Sequence, residues 1–271
     1  MPGIVLSAGV RSNLLNLQQT SDLITSTQTK LATGKRVNSA LDNPNNYFTA
    51  QGLDNRASDL SNLLDSMSTA INTIQAANNG ITAITKLVQS AQSLVSQANQ
   101  TSDTTVRASL SSQFDSIRSQ IDKLAGDSGF NGINLLNGDN LTVTLNESAT
   151  SKVTVSGVTD TSASALSINA SANNWATSAN ISTASTQLTT ALTTLRSQSQ
   201  TLSSSLSTVQ IRQDFTKATI NTLQTGSSDL TLADTNEEGA NLLSLQTRQQ
   251  LSSTALSLAS QADQNVLRLF G

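Results

Sequence analysis

Residues 53–98, LDNRASDLSNLLDSMSTAINTIQAANNGITAITKLVQSAQSLVSQA, contain no proline and hold one apolar register from end to end. Leu53, Ala57, Leu60, Leu64, Met67, Ile71, Ile74, Ile81, Ile84, Val88, Ala91, Val95 and Ala98 fall on steps of three and four, the spacing that returns a side chain to one face of an α-helix. At a rise of about 1.5 Å per residue such a helix reaches about 70 Å. Asn78 takes one seat of the seam, where a buried amide fixes the register of a partner helix. The two successive three-residue steps through Asn78, Ile81 and Ile84 overwind the seam beside Gly80. One long helix with a single apolar stripe needs other long helices.

The chain supplies them on the C-terminal side. Val106, Leu110, Phe114, Ile117, Ile121 and Leu124 set out a third helix that ends in the glycine-rich turn at 126–132. LTVTL at 141–145 and KVTVS at 152–156 alternate apolar with polar residues and predict a small β-hairpin within about 139–160. Residues 157–180 are mostly Ser, Ala, Asn and Thr around the single Trp175, and form either an exposed loop or a short irregular cap. A fourth helix carries Leu188, Leu195, Leu202, Val209 and Leu223 on one seam position and Leu192, Leu206 and Ile220 on the other, with Gly226 expected to close it. Phe130, Leu135 and Leu136 are expected to plug the end of this bundle, with Gly129 and Gly132 allowing the tight turns.

Both ends of the chain carry the same kind of pattern with very little charge. Over a first helix at 3–33, Val10, Leu14, Leu17, Ile24 and Leu31 share a seam in which Ser21 and Gln28 fill the polar seats. Leu251, Ala255, Leu258, Ala262, Val266 and Leu269 repeat it in a last helix starting near Asp234, with Phe270 beside them and Leu256, Ala259 and Leu267 widening the apolar surface. A helix apolar on more than one side needs more than one neighbour. Isolated helices are marginal in water, so both ends are expected to be disordered in the monomer and to order on association. These are the expected polymerisation elements.

Between the first two helices, Gly34 supplies a stop, Asp42 or Asn43 a cap, and Pro44 a first helical turn. Glu237 and Glu238 read as charges at the positive end of the last helix dipole; adjacent acids lack the contrasting environments a catalytic pair requires. The expected fold is mainly α: 1–41 with 231–271 as a discontinuous terminal-helix domain, and 42–230 as a coiled-coil-like rod with the β-hairpin inserted.

Composition narrows the chemistry. Charged residues make up 12% of the chain, against about a quarter in an ordinary globular protein, and aromatics only 3%. Cysteine and histidine are absent, which removes disulfides, thiolate nucleophiles, imidazole bases and most zinc chemistry. No catalytic residue, metal site or cofactor is expected, and a net charge of −3 without a basic cluster argues against nucleic acid. No stretch is long and apolar enough to predict a membrane span, and the N-terminus lacks the cationic start of a secretory signal. The composition fits a building block.

Three motifs, LATGKRVNSALDNP at 31–44, GFNGINLLNG at 129–138 and NLLSLQTRQQLSSTALSLASQADQNVLRLFG at 241–271, closely resemble bacterial flagellin. The Gln-Thr-Arg-Gln-Gln stretch and the Leu-Phe-Gly ending are most similar to the short flagellins of alphaproteobacteria. The resemblance implies a secreted, extracellular subunit that leaves the cell unfolded through the flagellar type III export apparatus and polymerises with copies of itself, alone or with other flagellins. It further implies a chaperone on the C-terminal helix, and contact with cap and hook-associated proteins. It makes the 34–44 turn the junction of two domains and the exposed Ser and Thr residues from 150 to 190 candidates for O-linked sugars. Only about 40 residues separate Gly138 from the fourth helix, too few for separate outer domains. In LVQSAQSLVSQANQ at 87–100, Gln89 and Gln92 stand where many flagellins carry the arginine and glutamate read by a vertebrate innate receptor, so weak or no signalling is expected. The competing expectations are a hook-filament junction protein with flagellin-like ends, and a secreted adhesion or signalling module built on the polar insert.

Overall fold

Among the described residues, five helices and a hairpin follow one another in the order α1 (Ala8–Thr33), α2 (Pro44–Gln100), α3 (Thr104–Asp127), β1 (Leu141–Thr144), β2 (Lys152–Val155), α4 (Ser178–Thr231) and α5 (Thr235–Phe270), with a short 3-10 turn at Ala172–Trp175 ahead of α4. The computed structural model describes residues 8–158 and 161–270, the side chains of 266–270 excepted. The first residues of the expected 3–33 helix and the side chains of Val266, Leu269 and Phe270 lie outside the described residues. Two compact units divide the chain, Arg56–Asn221 and Met1–Asn55 with Thr222–Gly271, and the division falls within α2 and α4.

The starts of α2, α3 and α5 each have a side-chain oxygen on a free N–H group. Asn43 Oδ1 accepts from Asn46 N at 3.0 Å, Asp103 Oδ1 from Thr105 N at 2.8 Å, and Asp234 Oδ1 from Asn236 N at 2.9 Å. Pro44 opens α2, where its missing N–H has no partner to lose. Gly34 ends α1 at φ +68°, a conformation that costs an L side chain but not glycine.

In the unit Arg56–Asn221 the core is the seam read from the sequence. Met67, Ile74, Ile84 and Val88 of α2, Phe114 and Ile121 of α3, and Leu188, Leu195, Leu202 and Val209 of α4 are all buried. Gln213 Nε2 donates to Ser68 Oγ at 2.9 Å, which places the two long helices side by side. Leu135 and Leu136 close this core; Phe130 does not join them and is 39% exposed. The reason is a two-residue hairpin, Asn131 at φ +50° and Gly132 at φ +79°, closed by Phe130 N to Ile133 O at 2.9 Å, which holds the Phe130 ring away from the bundle.

β1 and β2 pair antiparallel with Leu141 opposite Val155 and Val143 opposite Val153, so that Leu141, Val143 and Val155 are buried. Arg56 Nε meets Glu147 Oε1 at 2.6 Å and fastens the hairpin loop to α2. The Glu147 carboxyl is held below its ordinary pKa by its own backbone hydrogen bond and then by Arg56.

Residues 161–175 form the cap and not the exposed loop that the polar composition also allowed. Asp115, Arg118 and Asp122 lie on one face of α3 and grip the segment: Asp115 Oδ1 accepts from Ser171 N at 3.0 Å, Arg118 Nε donates to Ile168 O at 2.8 Å, and Asp122 Oδ1 accepts from Ala163 N at 2.8 Å. Ala163, Leu166, Ile168 and Trp175 are buried beneath it, with the Trp175 ring 5.1 Å from Phe114.

Two further expectations fail for identifiable reasons. Gly226 does not close α4, which continues to Thr231; no positive φ marks it, and its open side is faced by Leu53 Cδ1, 3.5 Å from where a Cβ would sit. Val106 is exposed, and the buried residue of the first α3 turn is Arg107. Its guanidinium donates to the carbonyls of Thr101 at 2.8 Å, Ala98 at 3.2 Å and Ala176 at 3.4 Å, and to Ser178 Oγ at 3.4 Å, clasping the end of α2 to the start of α4. Arg107→Met strips those acceptors of their donor and is expected to cost about 2–4 kcal/mol in denaturant unfolding. An unchanged midpoint would show that the clasp contributes nothing.

Candidate assembly surface

α1 pairs with α5 through a stripe of mixed polarity. On α1 the buried residues are Val10, Thr20, Ile24 and Thr27, with Leu17 half-buried between them. On α5 the half-buried positions are Leu242, Leu245, Gln249, Ser252, Leu256, Ala259 and Asp263, again on steps of three and four. Lys30 Nζ and Glu238 Oε1 pair at 3.3 Å across the two helices. Glu238 therefore does more than favour the dipole: its side chain is only 12% exposed, because it spans to α1.

The polar seats of this seam are one residue earlier than expected. Ser21 and Gln28 are exposed, and Thr20 and Thr27 are inside. Thr20 Oγ1 donates to Asn16 O at 2.8 Å, so its hydroxyl is satisfied within its own helix and enters the seam at little cost. Leu14 and Leu31, expected in the seam, stand at its exposed edge.

The apolar positions singled out in the last helix lie elsewhere. Leu251 is 67% exposed and Leu258 61%, and Ala255 and Ala262 are exposed with them. Leu243 continues the row towards the start of α5. α5 thus has two stripes, one of mixed polarity turned to α1 and an apolar one left open. α1 likewise leaves Leu15 and Leu23 outside the pairing.

The ends of this helix pair are fixed by the two crossovers of the chain. Arg36 N donates to Thr231 O at 2.7 Å and Ala233 N to Gly34 O at 3.0 Å, so the segment after α1 is bonded to the segment after α4. Asp42 closes the turn that leads into α2: its Oδ2 accepts from Ser39 N and Asn38 N, both at 2.9 Å, and from Ser39 Oγ at 3.2 Å. Those bonds, led by the Ser39 and Asn38 amides, hold the carboxyl below its ordinary value of 3.8. A depressed folded-state pKa adds stability that is complete above the unfolded value and is lost as pH falls through the folded one. Protection of the Asn38 and Ser39 amides from hydrogen exchange, taken relative to the intrinsic rate at each pH, is accordingly expected to be full above about pH 4 and to fall as pH drops further. Asp42→Asn should lower it at neutral pH.

Gln89 is exposed and Gln92 half-buried on α2. The Arg107 clasp and the Lys30 to Glu238 pair were not found from the sequence. An arginine four residues after a capping aspartate, and a lysine and a glutamate in complementary end turns of two helices expected to pair, were the available signals.

Two family models cover most of the chain: the bacterial flagellin N-terminal helical region matches residues 9–141 and the bacterial flagellin C-terminal helical region matches residues 185–270. The chain belongs to the bacterial flagellin family. Among characterised flagellins, this one is similar to Flagellin FljK of Caulobacter vibrioides, 32% identical with 97% of each chain covered. Flagellin FljN of the same organism is 33% identical, again with 97% of each chain covered. The crystal structure of Bacillus cereus flagellin aligns with 57% of this chain and 88% of its own at 23% identity and a TM-score of 0.48. As a flagellin the protein is structural and not an enzyme. The short alphaproteobacterial character seen in the motifs agrees with relatives of nearly equal length, and among the described residues this flagellin has no domain beyond the helices, cap and hairpin.

Proposed function

We propose that this flagellin is the subunit of the helical flagellar filament that drives swimming, with α1 and α5 as its polymerisation element. The observation that carries this reading is the apolar stripe of α5, Leu243, Leu251, Ala255, Leu258 and Ala262, which stays open after α5 has paired with α1. A row of leucines in water is covered when copies meet. Contacts between two different patches of the same chain generate a helical tube where the rotation from copy to copy does not close. Torque applied at the base of such a passive helix becomes thrust.

In this reading 1–41 with 231–271 forms the inner helical domain, 42–230 the outer one, and the 34–44 turn joins them. The ends order on assembly, because the α1 to α5 seam alone is short and half polar. Before secretion the same α5 stripe needs a chaperone to cover it, and the subunit reaches the extracellular filament through the type III export apparatus, meeting cap and hook-associated proteins there. Gln89 and Gln92 in place of a charged pair leave vertebrate receptor signalling weak or absent.

Electron microscopy of the full chain beside a 42–230 fragment, both seeded under filament-promoting salt, tests the assignment. Long tubes from the full chain alone support it. Equal polymerisation of the fragment, or a full chain that adds only a few subunits to a seed, sinks it; the second result favours the hook-filament junction role.

A further inference from the structure

A second pair of complementary surfaces lies within the unit Arg56–Asn221. α2 and α3 leave an open trough of about 410 Å³, floored by Ala83, Leu87 and Leu124 and rimmed by Lys86, Gln120, Lys123 and Asp127, two lysines against one acid. On α4, Ile211 and Phe215 are 65% and 63% exposed and sit one helical turn apart. The core-facing residues of that stretch are Val209 and Thr216, so this ridge points away from the bundle that buries them. Asp214 lies on the same ridge; its partner is Lys217 at 3.7 Å in an exposed pair of neighbouring turns, which leaves its charge open to others.

We infer that the α2/α3 trough of one copy receives the Ile211 to Phe215 ridge of the α4 of a second copy, with Asp214 between Lys86 and Lys123. The occupant follows from chemistry on both sides: an apolar floor takes the two large side chains, and a rim on which Lys86 and Lys123 outnumber Asp127 takes the one acid at the lysine side. Trough and ridge are different patches of one chain, so the contact is heterologous and passes from copy to copy. It rests on the filament reading above and adds to the α5 stripe a site on the outer unit that selects which neighbour sits where.

The natural absence of cysteine gives a clean test in the full-length chain. Lys123→Cys and Asp214→Cys preparations, copolymerised and then oxidised, are expected to give a covalent dimer only when mixed. Ser112→Cys, exposed on α3 away from the trough, is expected to give none with Asp214→Cys. Separately, Asp214→Lys is expected to raise the critical concentration about tenfold, and Lys86→Glu with Lys123→Glu in the same chain to restore it. Filaments that form from the mixture without the dimer, or a charge reversal with no effect or no rescue, overturn the inference and leave the trough to some other ligand. A wild-type chain that never forms filaments overturns both this contact and the reading it rests on.

Discussion

A chain carrying Leu251→Asp and Leu258→Asp is expected to remain monomeric under conditions where the wild type sediments as polymer, while its thermal unfolding is unchanged. Both leucines are more than half exposed in the single subunit, so neither contributes to its own fold. Each is worth about 2 kcal/mol when covered, and the pair about 4, which converts to about a thousandfold in critical concentration. Carboxylates placed in a covered apolar stripe add to that loss. The discriminating control is Leu256→Asp on the adjacent stripe, where the side chain is half-buried toward α1 and the substitution weakens the α1 to α5 pairing. If the double variant assembles at the wild-type concentration, α5 does not polymerise through this face.

Gly80→Val is expected to lower the stability of the Arg56–Asn221 unit by about 3 kcal/mol, near the upper end for overpacking. Gly80 lies in mid-α2, where glycine costs about 1 kcal/mol relative to alanine, so its presence needs a packing reason. A Cβ built there would overlap the Ser128 hydroxyl and come within 2.7 Å of Leu136 Cδ1 and Ser128 Cβ. Leu136 is fully buried and Ser128 Oγ is fixed by a 2.6 Å bond to Leu124 O, so neither yields easily. The plug formed by Leu135 and Leu136 should loosen first, seen as faster hydrogen exchange at the amides of Val158 and Thr161, which donate to Leu135 O and Leu136 O. A variant as stable as wild type would mean that the turn after α3 can back away.

The long seams were legible because they contain little besides aliphatic residues on a fixed step, and the positions from Ala57 to Ala98 that the register named are buried or half-buried. The hairpin was legible from alternation alone. Legibility ended wherever a polar side chain does the packing. Thr20 and Thr27 enter the α1 seam with hydroxyls that periodicity counts as surface, which shifted the expected seats by one residue. Arg107 displaced Val106 because carbonyls at a helix end attract a guanidinium more strongly than an isopropyl group gains by burial. The cap at 161–175 was ambiguous for the same reason: its placement comes from Asp115, Arg118 and Asp122 on another helix, and no local pattern encodes that. The apolar face of α5 was found, but its orientation depended on which of two adjacent stripes α1 would take.

The hydroxyl-rich seam between α1 and α5 also bears on what happens when a subunit loses its neighbours. Threonines, a glutamine and a serine in that interface regain water almost as readily as they leave it, so parting the two helices exposes little oily surface. The pair behaves as a latch with a light spring: closed while other copies crowd it, and ready to open once they are gone. In the proposed filament, a subunit held by such a latch is expected to stay paired where neighbours surround it and to open first at a free tip.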